Sequence, residues 1–202
     1  EMIFALLYSF YLSQQSGKQL VVLIDELELH LHPSLQEKFV SLLLEFSKTA
    51  QIIMTTHSPL AVKQLLLNSY VNVKVFLKND GAVQVAPIEE RVLPFVSANE
   101  INFLAFGLAT EEYHNELYEE LKYQKGEGKR IKQFDIDYFQ GEEREAANSP
   151  WMGNPNEVSI HTYLRNQIHH PRDNGKPNPT KLLDSIIKMR GFIKKLKTTN
   201  TQ

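Results

Sequence analysis

The chain has 202 residues, a formal net charge of −2, 42% apolar content and no cysteine. That composition allows one domain plus a smaller one, excludes disulfides and thiolate metal sites, and leaves any nucleic-acid binding to a local patch rather than a global field. No apolar run reaches the roughly 18–20 residues of a membrane span, and the opening has Glu1 first and no basic segment, unlike a signal peptide; a cytoplasmic protein without membrane contact is expected.

Met2, Ile3, Leu6, Leu7 and Phe10 recur at helical spacing, and Gly17 in the polar stretch 14–18 ends that helix. No cap or turn stands before the helix, so the chain reads as the C-terminal part of something longer. Leu20-Val21-Val22-Leu23-Ile24 then forms an unbroken apolar run that closes on two acids, Asp25 and Glu26. Such a run predicts a strand buried on both faces of a parallel sheet, with the acids at its C-terminal end, where open α/β sheets bind ligands. If the ligand is Mg²⁺-nucleotide, Asp25 fits the metal-holding role, and because side chains alternate along a strand Glu26 can face an attacking water instead.

Pro33 opens a helix with Leu35, Phe39, Leu42, Leu43 and Phe46 as its buried stripe. A second strand over 52–56 ends in His57-Ser58-Pro59, which places an imidazole at the same sheet edge one β-α-β unit later. A helix over 60–67 follows, stopped by Asn68-Ser69. Val71, Val73, Val75 and Leu77 alternate, Asn79-Asp80-Gly81 supplies a turn, and Val83 and Val85 resume: a hairpin expected to extend or cap the sheet.

After Pro94 the pattern becomes helical, with helices over 101–108 and 111–124 around Gly107 and with Tyr113, Leu117, Tyr118 and Leu121 on the apolar face of the second. Residues 125–156 read as a long loop, Asp135 and Asp137 lying in a solvated turn and Trp151 pinning the loop to the helices. Asn156 caps a helix over 157–169, with Val158, Ile160, Leu164 and Ile168 inward. In the last helix, 180–197, Leu182, Leu183, Ile186, Ile187, Met189 and Ile193 share one side, and Lys181, Lys188, Arg190, Lys194, Lys195 and Lys197 form a solvated basic face.

Three segments, VVLIDE at 21–26, LELHLHPSLQ at 27–36 and TTHSP at 55–59, stand in the order of the Walker B, D-loop and H-loop of ABC-type ATPases, and Asp25 and His57 are 32 positions apart. They resemble the OLD-like and AAA_21-like branch of that family, which includes defence-associated ATPases. The resemblance implies an α/β fold: the C-terminal half of a P-loop ABC-type ATPase domain over 1–95, with a parallel sheet plus a β-hairpin, followed by a small helical domain over 96–202. It implies ATP and Mg²⁺ as cofactors, with Asp25 holding Mg²⁺ through water, Glu26 as catalytic base and His57 on the γ-phosphate. Two protomers sandwich nucleotide in such ATPases, so a homodimer or larger oligomer is implied too. The plainer account is a strand ending in solvated acids beside a core-edge histidine.

His30 and His32 have a metal-ligand spacing, but no cysteine or third histidine lies near them, and the family's HLHP loop holds no metal. Neither a G-x-x-x-x-G-K-[S/T] phosphate loop nor a serine-glycine-rich signature occurs in the sequence, so these residues alone are not expected to bind ATP usefully.

Further on, Arg165-Asn166 followed by His170 resembles the R-N-x-x-x-H motif of HEPN-type ribonucleases. The resemblance implies that Arg165 holds the scissile phosphate of RNA, Asn166 orients the site and His170 assists transfer involving the 2′-hydroxyl without metal. Arg and His at a helix C-terminus also stabilise the helix end by themselves. Three functions stay open: an anti-phage regulatory ATPase controlling a partner nuclease, as Septu-type defence ATPases would suggest; an ATPase with its own HEPN-like RNase; and a DNA-repair or SMC-like ATPase.

Overall fold

A computed structural model describes residues 2–17, 19–79, 82–146 and 157–199. The chain divides into two compact units, Glu1–Ile88 and Glu89–Gln202.

In the first unit, helix α1 (Met2–Ser16) ends at Gly17, whose φ of 62° is left-handed and therefore suits glycine. Strand β1 (Leu20–Ile24) follows, then a 3₁₀ turn (Leu27–His30), α2 (Pro33–Phe46), β2 (Ala50–Met54) and α3 (Pro59–Leu65). β1 and β2 pair in parallel, Leu20 opposite Ala50 and Ile24 opposite Met54, as the β-α-β pattern predicts. Leu20, Val22, Ile24, Ile52 and Met54 pack inward on Leu6, Phe10, Phe39, Val40, Leu43 and Ala61, and the Phe10 and Phe46 rings stack with centroids 3.8 Å apart. The expectation of burial on both faces does not hold: Val21, Leu23 and Ile53 are exposed, because no described element of this unit lies over that side of the strands. Leu35 is likewise exposed, and Gln36 takes its place on the buried stripe of α2.

The hairpin forms as β3 (Lys74–Asn79) and β4 (Ala82–Pro87), with Asn79 opposite Ala82; its turn residues Asp80 and Gly81 lie outside the described residues. It does not extend the first sheet. The hairpin is a separate two-stranded sheet.

The second unit contains α4 (Ala98–Phe106), α5 (Glu111–Gly126), α6 (Ile131–Tyr138), β5 (Arg144–Ala146), β6 (Glu157–Ser159), α7 (Ile160–His169), α8 (Pro171–Asn174) and α9 (Pro179–Thr199). Tyr113, Leu117, Tyr118 and Leu121 of α5 meet Leu182, Ile186, Met189 and Ile193 of α9, with Phe134 and Phe139 closing the core. Val92 and Leu93 also sit in this core, and buried Glu100 accepts their N–H groups at 2.6 and 3.4 Å, which ties the segment from Glu89 onward to the helices.

The stretch 125–156 is not a plain loop: α6 and β5 fall within it, and β5 pairs antiparallel with β6. Asp135 is not in a solvated turn but buried, held by Arg144 at 2.6 Å and by the N–H and hydroxyl of Ser159. Residues 157–159 are strand rather than helix, and the Ser159 hydroxyl, not Asn156, caps α7. Asn156 and Trp151 both lie outside the described residues. Arg190 is buried and paired with Glu100 at 3.1 Å instead of standing on a basic face, and Lys181, Lys188 and Lys194 are engaged by Glu145, Glu142 and Glu89. Leu183 and Ile187 turn outward, because α9 buries a narrower stripe than its apolar content suggests.

Candidate functional site

At the C-terminal end of the parallel pair the ladder runs one bond further, from Thr55 N–H to the Ile24 carbonyl at 2.9 Å. That bond sets Thr55 beside Asp25. The Thr55 hydroxyl donates to Asp25 Oδ1 at 2.5 Å and accepts the Glu26 N–H at 2.8 Å, while the Thr55 carbonyl accepts the Leu27 N–H at 3.3 Å. Glu26 itself adopts φ 46°, ψ 65°, the only positive φ at a non-glycine position among the described residues. A left-handed residue of this kind costs about 1–2 kcal/mol, and the bonds from Glu26 and Leu27 to Thr55, with the burial of Leu27, hold it there. Strand alternation therefore does not aim Glu26, because β1 has already ended at Ile24.

Glu28, on the 3₁₀ turn, reaches across to the other strand end. One oxygen accepts the Thr56 hydroxyl at 2.6 Å and the other accepts the His57 N–H at 2.5 Å. Burial alone would raise the Glu28 carboxyl, but these two hydrogen bonds, together with its own backbone N–H and the nearby His57, hold the group below its ordinary range. The Ser58 hydroxyl caps α3 by accepting the Ala61 N–H and donates to Gln36 of α2 at 2.6 Å. His32 caps α2, its Nδ1 accepting the Ser34 N–H at 3.3 Å.

The rim thus brings Asp25 and Glu26 onto Thr55, and the His57 backbone onto Glu28. Asp25 Oδ2, the Glu26 carboxylate and the His57 imidazole have no hydrogen-bond partner among the described residues, and Asp25 and His57 are exposed. An exposed carboxylate with one oxygen fixed by a hydroxyl and the other open suits a hydrated Mg²⁺, which keeps most of its waters. Among the described residues there is no group of three or more His, Cys, Asp or Glu able to cage a metal. Sequence reasoning missed Thr55, Thr56 and Glu28; the polar pair before His57 and the third acid after Asp25-Glu26 were the available signals.

Residues 2–63, which contain this whole rim, match the family described as "AAA domain, putative AbiEii toxin, Type IV TA system". The likeness to AAA/ABC-type, defence-associated ATPases is thereby shown. The chain is 40% identical over 67 residues to the Septu protein PtuA of Bacillus thuringiensis, covering 33% of this chain and 17% of the relative. It is 54% identical over 39 residues to the Retron Ec83 probable ATPase of Escherichia coli, covering 19% of this chain and 7% of the relative. The matched stretches are therefore a small share of either relative's length.

The second unit, beyond this ATPase-like region, carries the other predicted cluster. Arg165 lies over the Tyr118 ring, 5.5 Å from its centroid, and reaches Glu119 at 3.3 Å. His169 and His170 stand exposed at the end of α7, where burial, Arg165 and His170 lower the His169 imidazole pKa against the opposing pull of Glu119. Asn166 is buried and the Arg165 side chain largely covered, so of the predicted trio His170 alone is exposed.

Deeper in the unit is a polar array that the sequence reading did not find. The Ser185 hydroxyl lies 2.9 Å from His114 Nε2 and 2.7 Å from His161 Nδ1, and His161 Nε2 lies 3.5 Å from Glu142. A hydroxyl has one proton, so Ser185 donates to one imidazole and accepts from the other. All three side chains are buried, so the array is structural in character. Among the described residues no helix is long and apolar enough to cross a membrane.

Proposed function

We propose that this chain contributes the catalytic strand ends of an ATP-hydrolysing regulatory ATPase in an anti-phage defence system, acting in the cytoplasm and controlling a nuclease effector. The single observation behind this reading is the Thr55 bridge, which gathers Asp25 and Glu26 at the rim that the neighbouring strand continues into His57. Glu26 takes the proton of the attacking water, and His57 donates a hydrogen bond to the γ-phosphate. Asp25 would hold Mg²⁺ through water, and the ion would neutralise phosphate charge. The amides and lysine that cradle phosphates come from outside residues 1–202, where no G-x-x-x-x-G-K-[S/T] occurs. Nucleotide then joins two copies, and the active form is a dimer or larger.

Steady-state ATP turnover of the full-length protein tests this reading. Asp25→Ala and His57→Ala should each lower turnover by about a hundredfold, and wild-type rates in both would refute it. Residues 1–202 alone should bind Mg-ATP more weakly than about 1 μM; micromolar or tighter binding would contradict the claim that phosphate contacts come from elsewhere.

A second reading gives the end of α7 its own chemistry. Arg165 is carried on the Tyr118 ring beside the exposed His169 and His170, an arrangement able to hold a phosphate. On this reading Arg165 and His170 cleave RNA, with Asn166 anchoring the helix from inside. Arg165→Ala with His170→Ala should abolish RNA cleavage and leave ATP turnover unchanged; full cleavage by that double variant would end the reading.

A further inference from the structure

We infer that Glu28 is a positioning residue that locks His57 to the turn carrying Glu26, so that base and imidazole move as one unit; the inference rests on the ATPase reading of the rim. Its basis is the set of bonds on either side of one short turn. Toward β2, the Glu28 carboxylate accepts from the Thr56 hydroxyl at 2.6 Å and the His57 N–H at 2.5 Å, and Thr56 in turn accepts the Ser58 N–H at 3.0 Å. Three consecutive residues, 56–58, are therefore fixed through one acid. Toward β1, the same turn begins at the left-handed Glu26, whose carbonyl accepts the Leu29 N–H at 3.0 Å. Leu27, buried between them, leaves the turn little freedom to slide.

The carboxylate is suited to this task because both its oxygens are used and its charge strengthens each bond. Its two bonds to residues 56 and 57 make it a clamp on the His57 loop. Removing it frees the peptide that carries His57 while leaving Asp25, Glu26 and Thr55 bonded as before, so the loss should fall on the chemical step rather than on nucleotide affinity.

The experiment uses the full-length protein with Mg-ATP and the variants Glu28→Ala, Glu28→Gln, His57→Ala and the Glu28→Ala/His57→Ala pair, with thermal melts alongside. Glu28→Ala should lower kcat about ten- to a hundredfold, the range for groups that orient a reacting residue from behind, with KM changed less than about threefold. Glu28→Gln, which keeps an acceptor for the His57 N–H but presents an NH2 donor to Thr56, whose hydroxyl must turn to accept it, should fall between. In the His57→Ala background the same Glu28 change should cost almost nothing more, a non-additivity that a general loss of stability would not produce. Should Glu28→Ala fail to fold, Glu28→Gln and its pair with His57→Ala carry the same comparison. Wild-type kcat in a folded Glu28 variant, or losses that simply multiply, would overturn the inference while the ATPase reading stands. Wild-type turnover in His57→Ala itself would instead remove that reading, and this inference with it.

Discussion

Thr55 joins Asp25 across the two parallel strands through a 2.5 Å hydrogen bond, and its oxygen accepts the N–H of the next residue, Glu26, at 2.8 Å. Glu26 is held with φ 46° by this contact, which makes its backbone strain measurable. Glu26→Gly should unfold at a temperature equal to or above that of the wild type, since glycine adopts this conformation freely. Glu26→Val should lose about 1–2 kcal/mol in a denaturant titration, since a β-branched side chain resists it. Equal stability of the two variants would show that no strain resides there.

Acid should loosen the second unit through its buried histidines. Burial, then the nearby His161 and Arg165, lowers the His114 imidazole to about 3. Burial lowers His161 to about 4 against the pull of Glu142. Both folded values lie below the ordinary 6.5, so as pH falls through 6.5 the unfolded chain takes up protons that the folded one refuses. Stability should then drop by about 1.4 kcal/mol per pH unit for each histidine until the folded values are reached. Urea melts between pH 7 and pH 5 measure this slope, and His161→Gln should remove about half of it. A midpoint that does not move over that range would contradict the burial of the pair.

Asp135 anchors β6 and the start of α7 through Ser159, and it pairs with Arg144 at 2.6 Å. Asp135→Ala leaves a buried hydroxyl and amide without their acceptor and a half-buried guanidinium without its partner, at a cost of about 3 kcal/mol. Chemical denaturation of the variant should show this loss. A change below about 0.5 kcal/mol would mean that Asp135 is solvated after all.

Gly126, at the end of α5, faces the Phe134 ring, where a Cβ would stand 2.4 Å from a ring carbon. Alanine favours helices over glycine, yet here it must displace a ring that is fully buried against Tyr118 and Phe139. Gly126→Ala should therefore destabilise by about 1–3 kcal/mol, and a rise in melting temperature would refute the close approach.

The short apolar run before Asp25 and the proline-led helices were readable because each is a local pattern, and the parallel pairing of β1 and β2 followed from the helix between them. What escaped the sequence was set by distant partners. Asp135 and Asp137 look alike in FDIDYF, and only Ser159, 24 positions away, and Arg144 make the first of them an interior residue. Arg190 looks like its lysine neighbours until Glu100, 90 positions earlier, is seen beside it. At the rim, Asp25, Glu26 and His57 were legible as motif residues, whereas Thr55 and Glu28 were not, because their role lies in bonds between two strand ends.

The most direct measurement is nucleotide retention and turnover by Glu26→Gln in the full-length protein, with radiolabelled ATP and Mg²⁺. Removing the base while keeping its shape should leave ATP bound and uncleaved, with turnover reduced at least about a hundredfold. Turnover at the wild-type rate, with product released as before, would contradict the assignment of hydrolysis to this strand end.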